Sequence, residues 1–249
     1  MNHTIATYSF ELSSFERTGV PGEAERAFTG ALGAANLFAN QKRTVENDQH
    51  LSTAGKQAKL APMSSQLWKT IFVSAKAVQG ERLKIETRTA HLYDIGSPVT
   101  PYEIAIDRER RDYWRSLGSP ERIALLGVIE ATPVFAPFVK SILRTPVPDL
   151  LDIEIKMLRD TFEKIRREED SDLYALIKDD QGAVDWAERG LAHIIGISQS
   201  KGMTGITSQG VLAMAIEAGD GAAALALGYS PNEIAVEKRK QEAKRRMAA

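Results

Sequence analysis

Leu151, Ile155, Leu158, Phe162 and Ile165 recur at alternating steps of four and three, and the residues between them are mostly charged. On a helix this spacing stacks all five in one apolar stripe and turns the charges to water. The stripe predicts a helix over roughly 149–168 whose job is packing. It lasts only about two heptads before Glu168, Glu169 and Asp170 close it, which fits a bundle helix and not a long coiled coil.

The rest of the chain repeats this theme more faintly. Residues 1–22 mix polar and aromatic side chains and end in the turn signal Gly19-Val20-Pro21-Gly22. Residues 23–40 read as a helix with Ala27, Ala31, Ala35 and Ala39 at steps of four, flanked by Phe28, Leu32 and Phe38. Small side chains in one line let another helix come close. Gly30 and Gly33 weaken this helix by roughly 1 kcal/mol each relative to alanine, so it needs a packing partner, from this chain or another. Residues 41–62 carry few large apolar groups and read as a linker or exposed segment.

Helical periodicity resumes over 63–79, with Gly80 as an interruption point. The 80–94 stretch alternates like a strand at Leu83, Ile85, Thr87 and Thr89. Yet Ile71, Val78, Ile85 and Leu92 keep a seven-residue line, which favours a continued helix. Thr100-Pro101-Tyr102-Glu103 is a capping box with proline at the first helical position, opening a helix to about Leu117. Ser119-Pro120-Glu121 opens another that Pro133 should stop. Pro137, Pro146 and Pro148 make 133–148 an extended connector. Short helices follow over 172–178 and from Val184 to Ile195, with Asp179-Asp180-Gln181-Gly182 as a turn between them. A loop covers 196–210. Alanine-rich helical pieces follow at Val211–Ala218 and Ala222–Leu227, and Ser230-Pro231-Asn232-Glu233 caps a charged terminal helix.

Charge is unevenly placed. The net charge is −1, but residues 149–185 hold twelve acids against six bases. Between Glu237 and Met247 there are six bases, Lys238, Arg239, Lys240, Lys244, Arg245 and Arg246, against two acids. Blocks of opposite sign can attract each other within a chain or between copies. The basic segment has no interleaved aromatics, so any nucleic-acid contact there would be phosphate attraction and not base readout. There is no cysteine, which excludes disulfides, thiolate catalysis and cysteine-ligated zinc.

Motifs that carry chemistry are weak. The 191–206 stretch, with Ala192, Gly196, Ile197 and Ser198, has the outline of a helix-turn-helix, but Gly202 and Gly205 fall where the recognition helix needs apolar anchors. Ser198-Gln199-Ser200-Lys201 matches S-x-x-K without its companion motifs. Gly219 to Ala224 mimics G-x-G-x-x-A too near the C-terminus for a dinucleotide fold. His91 and Asp94 share a helix face but two ligands do not make a metal site. Residues 123–139 are apolar, too short to span a membrane and broken by prolines, which predicts a buried core helix.

These readings converge on an all-α fold: a multi-helix bundle with a loosely anchored N-terminal helix and a basic C-terminal helix. Its expected organisation is an N-terminal arm over 1–62, a helical domain over 63–230 and the basic helix over 231–249. The expected role is that of a non-enzymatic structural or interaction protein in a larger assembly, such as a virion or similar multi-copy particle. No cofactor is expected. A protein partner or a second copy is expected to bind, and membrane contact is not. The alternative is a nucleic-acid-binding protein using the degenerate helix-turn-helix-like element and the basic tail; an enzyme ranks third. No secretory signal is visible at the N-terminus, so the expected setting is the cytoplasm or a particle assembled inside the cell.

Overall fold

Ten helices and one two-stranded hairpin are the regular elements among the described residues of the computed structural model, and that described part is 82% helical. The structure describes residues 2–5, 8–12, 21–131, 136–144, 150–199, 203–217 and 221–248. The elements run β1 (Asn2–Ile5), β2 (Tyr8–Glu11), α1 (Glu23–Asn47), α2 (Thr53–Leu92), α3 (Pro101–Ser116), α4 (Ser119–Ala131), α5 (Ala136–Arg144), α6 (Asp152–Glu169), α7 (Ser171–Gln199), α8 (Ser208–Glu217), α9 (Gly221–Ala226) and α10 (Pro231–Ala248). The fold is an all-α multi-helix bundle. By contact it divides into two compact units, Met1–Ile85 with Asp179–Ala249, and Glu86–Lys178. Both boundaries fall inside helices, α2 and α7.

Five helices start with the same device. A glutamate at the third helical position reaches back to the N–H of the residue before the helix: Glu25 to Gly22, Glu103 to Thr100, Glu121 to Gly118, Glu154 to Leu151 and Glu233 to Ser230. Each carboxylate satisfies a donor left over at the helix end and sits at the positive end of the dipole. At Thr100 and Ser230 the cap hydroxyl returns the bond to the glutamate N–H, at 3.2 and 3.3 Å. These are the two complete boxes that the sequence announces.

Several expected breaks do not occur. The presumed linker over 41–62 is the end of α1, a tight turn and the start of α2. Helix α2 runs through Pro62 and Gly80 for 40 residues, so the 80–94 segment is helix down to Leu92. Ile71, Val78, Ile85 and Leu92 are all buried, and that apolar line outweighs the local preference of two breakers. Helix α7 likewise runs through Asp179-Asp180-Gln181-Gly182 and Gly196, joining the two short helices expected there. Its buried residues Ile177 before the expected turn and Val184, Ala187, Leu191 and Ile194 after it keep helical spacing along one helix. The proposed connector over 133–148 contains α5, where Pro137 occupies the second helical position and costs no intrahelical bond. Pro133, Pro146 and Pro148 lie outside the described residues. The hairpin, with His3 opposite Phe10, has no counterpart in the sequence reading.

The unit over Glu86–Lys178 has its core on α3 to α6: Trp114, Leu126, Ile129, Val139, Ile142, Leu158, Phe162 and Ile165. Helix α4 does not become the buried core helix expected over 123–139. Leu126 and Ile129 are buried, while Ile123 and Val128 are more than half exposed. Within the α6 stripe the burial is graded: Leu158, Phe162 and Ile165 are enclosed, Ile155 is half-buried, and Leu151 is 61% exposed. Leu151 precedes the first helical turn, where it supplies the cap N–H and not a packing surface. Replacing Leu158 with alanine is expected to cost about 2–5 kcal/mol, and Leu151 with alanine about 0.5 kcal/mol or less. Urea unfolding of the two variants checks the contrast.

In the other unit Phe28 on α1 lies against Gly190 on α7. A Cβ built on Gly190 would sit 2.4 Å from the Phe28 ring. The absence of a side chain at position 190 is therefore what lets α1 seat Phe28, one of its two buried phenylalanines. Gly190→Ala is expected to destabilise the protein by about 1–3 kcal/mol through overpacking. The double variant with Phe28→Leu should recover part of that loss in the same unfolding measurement.

Candidate functional site

The residues expected to mediate packing are taken up inside the chain. Ala31 and Ala35 have no exposed surface and Ala27 is half-buried, on the face of α1 that also carries Phe28 and Phe38. Phe28 meets Trp186 edge-on at 4.6 Å between ring centroids, and His3 of β1 stands edge-on to Phe28 at 5.4 Å. Phe10 stacks on His193 at 5.0 Å. The hairpin thus closes over the α1–α7 seam with aromatic rings. Burial, acting together with nearby positive charge, holds the His3 imidazole below its ordinary value. Helix α2 is tied to α7 by Arg82, whose guanidinium grips Glu188 through two N–H bonds of 2.6 Å and donates to Asp185 at 2.8 Å. Those carboxylates raise the Arg82 value further above its ordinary range.

The helix-turn-helix reading of 191–206 is overturned. Ala192, Gly196, Ile197 and Ser198 lie on one continuous helix that reaches Gln199, so there is no turn at Gly196 to present a second helix. The helix stays unbroken because Leu191, Ile194 and Ser198 are all buried along one line. Ser198 is fully enclosed, its Oγ included, and its carbonyl accepts a 2.6 Å bond from the Thr204 hydroxyl. Ser200, Lys201 and Gly202 lie outside the described residues, as do Gly219 and Asp220 of the G-x-G-x-x-A stretch. Asp94 accepts the Gly96 N–H at 2.9 Å and so shapes the turn after α2. Among the described residues no three His, Asp or Glu side chains gather as a metal site. No helix among them is long and apolar enough to cross a membrane.

The basic C-terminal helix is the surface that stands out. Its root is held. Ile234 and Glu237 are buried, and the Gln241 amide donates to the Ala213 carbonyl of α8 at 2.8 Å. Ahead of it the Tyr229 hydroxyl donates to the Ser208 carbonyl at 2.7 Å, fixing the approach to the Ser230 cap. Beyond the root, Lys238, Arg239, Lys240, Lys244, Arg245 and Arg246 are all exposed, and Met247 is 89% exposed. One weak pairing, Lys240 to Glu237 at 3.8 Å, touches this set among the described residues. The helix is therefore not the free arm that its composition suggests. It is a rooted rod, docked by Ile234 together with the polar side chains of Glu237 and Gln241. Removing residues 242–249 is expected to leave the melting temperature within about 1 °C, because residues 242–247 are all exposed. Removing residues 237–249 also deletes the Gln241 bond and the buried Glu237, and should lower it by about 2–4 °C. Calorimetry of the two truncations separates the rooted part from the exposed part.

No protein-family model, curated protein or solved structure matches this chain.

Proposed function

We propose that the protein is a non-enzymatic interaction protein that works in a multi-copy assembly, with α10 as the contact it offers. The observation that carries this reading is the pairing of a fixed root with six exposed cations. Charges on a rooted helix keep their spacing, so an acidic partner meets them without ordering a floppy tail. Like charges one turn apart, as at Lys240 and Lys244, repel each other by a few tenths of a kcal/mol and are relieved by a bound acidic surface.

Charge complementarity favours a second copy as that surface. The 149–185 stretch carries a net charge of −6. Within it Asp160, Glu168 and Asp172 are exposed and have no ion-pair partner among the described residues. A contact of this kind is long-range, fast to form and screened beyond about 8–10 Å at ordinary ionic strength. The same six cations support nucleic acid as the second reading, through phosphate attraction alone, since α7 runs unbroken through Gly196, where the turn before a base-reading helix would lie.

Light scattering at low and high salt, read with the absorbance ratio at 260 and 280 nm, tests the proposal. A multi-copy species free of nucleic acid at about 50 mM salt, dissociating near 500 mM, is the expected result. Reversing Lys244, Arg245 and Arg246 to glutamate should give a monomer at both. A wild-type monomer at low salt, or an assembly indifferent to the charge reversal, would sink it. A nucleic-acid-laden preparation would move the conclusion to the second reading.

A further inference from the structure

A cleft of about 400 Å³ opens between α3, α5 and α6, wholly within the Glu86–Lys178 unit. Its walls carry four cations, Arg110, Lys140, Arg144 and Arg166, and three acids, Glu103, Asp107 and Glu169. Phe162, Ile106, Ala136 and Pro137 supply an apolar side. This is the size of site that takes a small organic molecule, with apolar walls and a few convergent polar groups.

The bonding inside the cleft decides which charge remains to be met. Asp107 is 3% exposed, accepts the Ser141 hydroxyl at 2.6 Å and pairs with Arg144 at 2.9 Å. Burial pushes the Asp107 carboxyl upward, but Ser141 and Arg144 outweigh it and hold the group below the ordinary carboxylate value. Glu103 is engaged with the α3 cap, accepting the N–H groups of Val99 at 2.7 Å and Thr100 at 2.9 Å. Glu169 accepts from Arg166, whose other nitrogens reach the Leu92 carbonyl and Asp170. All three acids are therefore occupied, and so is Arg166.

The remaining cations are not. Arg110 uses one terminal nitrogen, Nη1, for both the Pro137 carbonyl and the Ser141 hydroxyl, each at 2.9 Å. Arg144 spends Nε on the Ile95 and Gly96 carbonyls and Nη1 on Asp107. Each guanidinium is thus held in place with its second terminal nitrogen unengaged by described residues. Lys140, one turn before Arg144 on α5, is half-buried and has no partner among them. Arg111 adds a further positive charge beside the cleft through its 3.2 Å bond to the Ser141 carbonyl.

We propose that this cleft binds a small phosphate monoester, its phosphoryl oxygens held by Lys140, Arg110 and Arg144 and its organic group lying on the Ile106 and Pro137 side. Buried serine and aspartate side chains position two guanidinium groups in advance, so the ligand does not bear the cost of ordering them. A dianion answers the excess of fixed positive charge better than a neutral molecule does. This site is separate from α10, and neither reading depends on the other.

Isothermal titration with phenyl phosphate and with inorganic phosphate tests the proposal on the full chain. Phenyl phosphate is expected to bind at one site, at least about fivefold tighter than inorganic phosphate because its ring meets the apolar side. Lys140→Met should weaken phenyl phosphate binding by about tenfold or more with an unchanged melting curve, since Lys140 holds no other group. Lys140→Arg should retain binding, and Lys244→Glu on α10 should leave it unchanged. Absence of binding by the wild type, equal affinity for the two probes, an unaffected Lys140→Met variant, or a loss on Lys244→Glu as large as that on Lys140→Met would each overturn it.

Discussion

The seating of Phe28 on Gly190 is the contact on which the first unit turns. Two helices approach closely only where one of them gives up side-chain volume, and here α7 gives up all of it at one position. The alanine line of α1 continues the same close face with Ala31 and Ala35. Trp186, one turn before Gly190, meets Phe28 edge-on, and the hairpin then has an aromatic surface to close against through His3 and Phe10. A glycine-containing helix that is marginal alone becomes stable because its partner was shaped to receive it. The need for a partner was visible in α1, but the partner's identity was written in a single glycine of α7 that sequence reasoning treats as a weak point.

That inversion explains much of what the sequence revealed and what it hid. Where apolar periodicity was strong, as at Leu158, Phe162 and Ile165, it placed the helix and its buried face. Where local breakers were read as ends, they lost. Gly80, Gly182 and Gly196 each cost roughly 1 kcal/mol against alanine in a helix. A continuous stripe of buried Val, Leu and Ile on α2 or α7 returns more than that, at about 1.5–3 kcal/mol per large side chain enclosed. The local penalty is legible in a window of a few residues; the compensating burial is not, because it depends on which helix lies opposite. The hairpin escaped notice for a related reason, since its strands are four residues each and are ordered by rings that come from α1 and α7.

Helix starts show the same division. Two of the five glutamate-capped starts carry a hydroxyl residue and were evident as boxes at Thr100 and Ser230. The other three have Gly22, Gly118 and Leu151 at the cap, so only half of the reciprocal bonding exists. The half that remains is a carboxylate to a backbone N–H. It needs nothing from the cap side chain, which is why Leu151 can occupy the position while its side chain stays in solvent. The first member of the apolar stripe was therefore a cap residue, indistinguishable by spacing from a packing residue.

The candidate sites were legible in unequal measure. The cations of α10 fall in two triplets and could be read directly, whereas the root that holds them combines Ile234 with Glu237 and Gln241, two polar residues that no hydropathy pattern marks. The cleft of the second unit was invisible, because Arg110 comes from α3 and Lys140 and Arg144 from α5, and no pattern in the sequence marks that these two helices meet. Ser141 links Arg110 to the Asp107–Arg144 pair, its hydroxyl donating to Asp107 while accepting from Arg110. A buried ion pair gives little net stability, since desolvation offsets most of the attraction. A network that encloses a carboxylate and a serine yet leaves two guanidinium groups with unengaged nitrogens at a cleft is poorly explained as a device for holding helices together. Leucines at Asp107 and Arg144 would serve packing at least as well. The arrangement is better explained by what it fixes in place: positive charge, aimed at one space and already ordered.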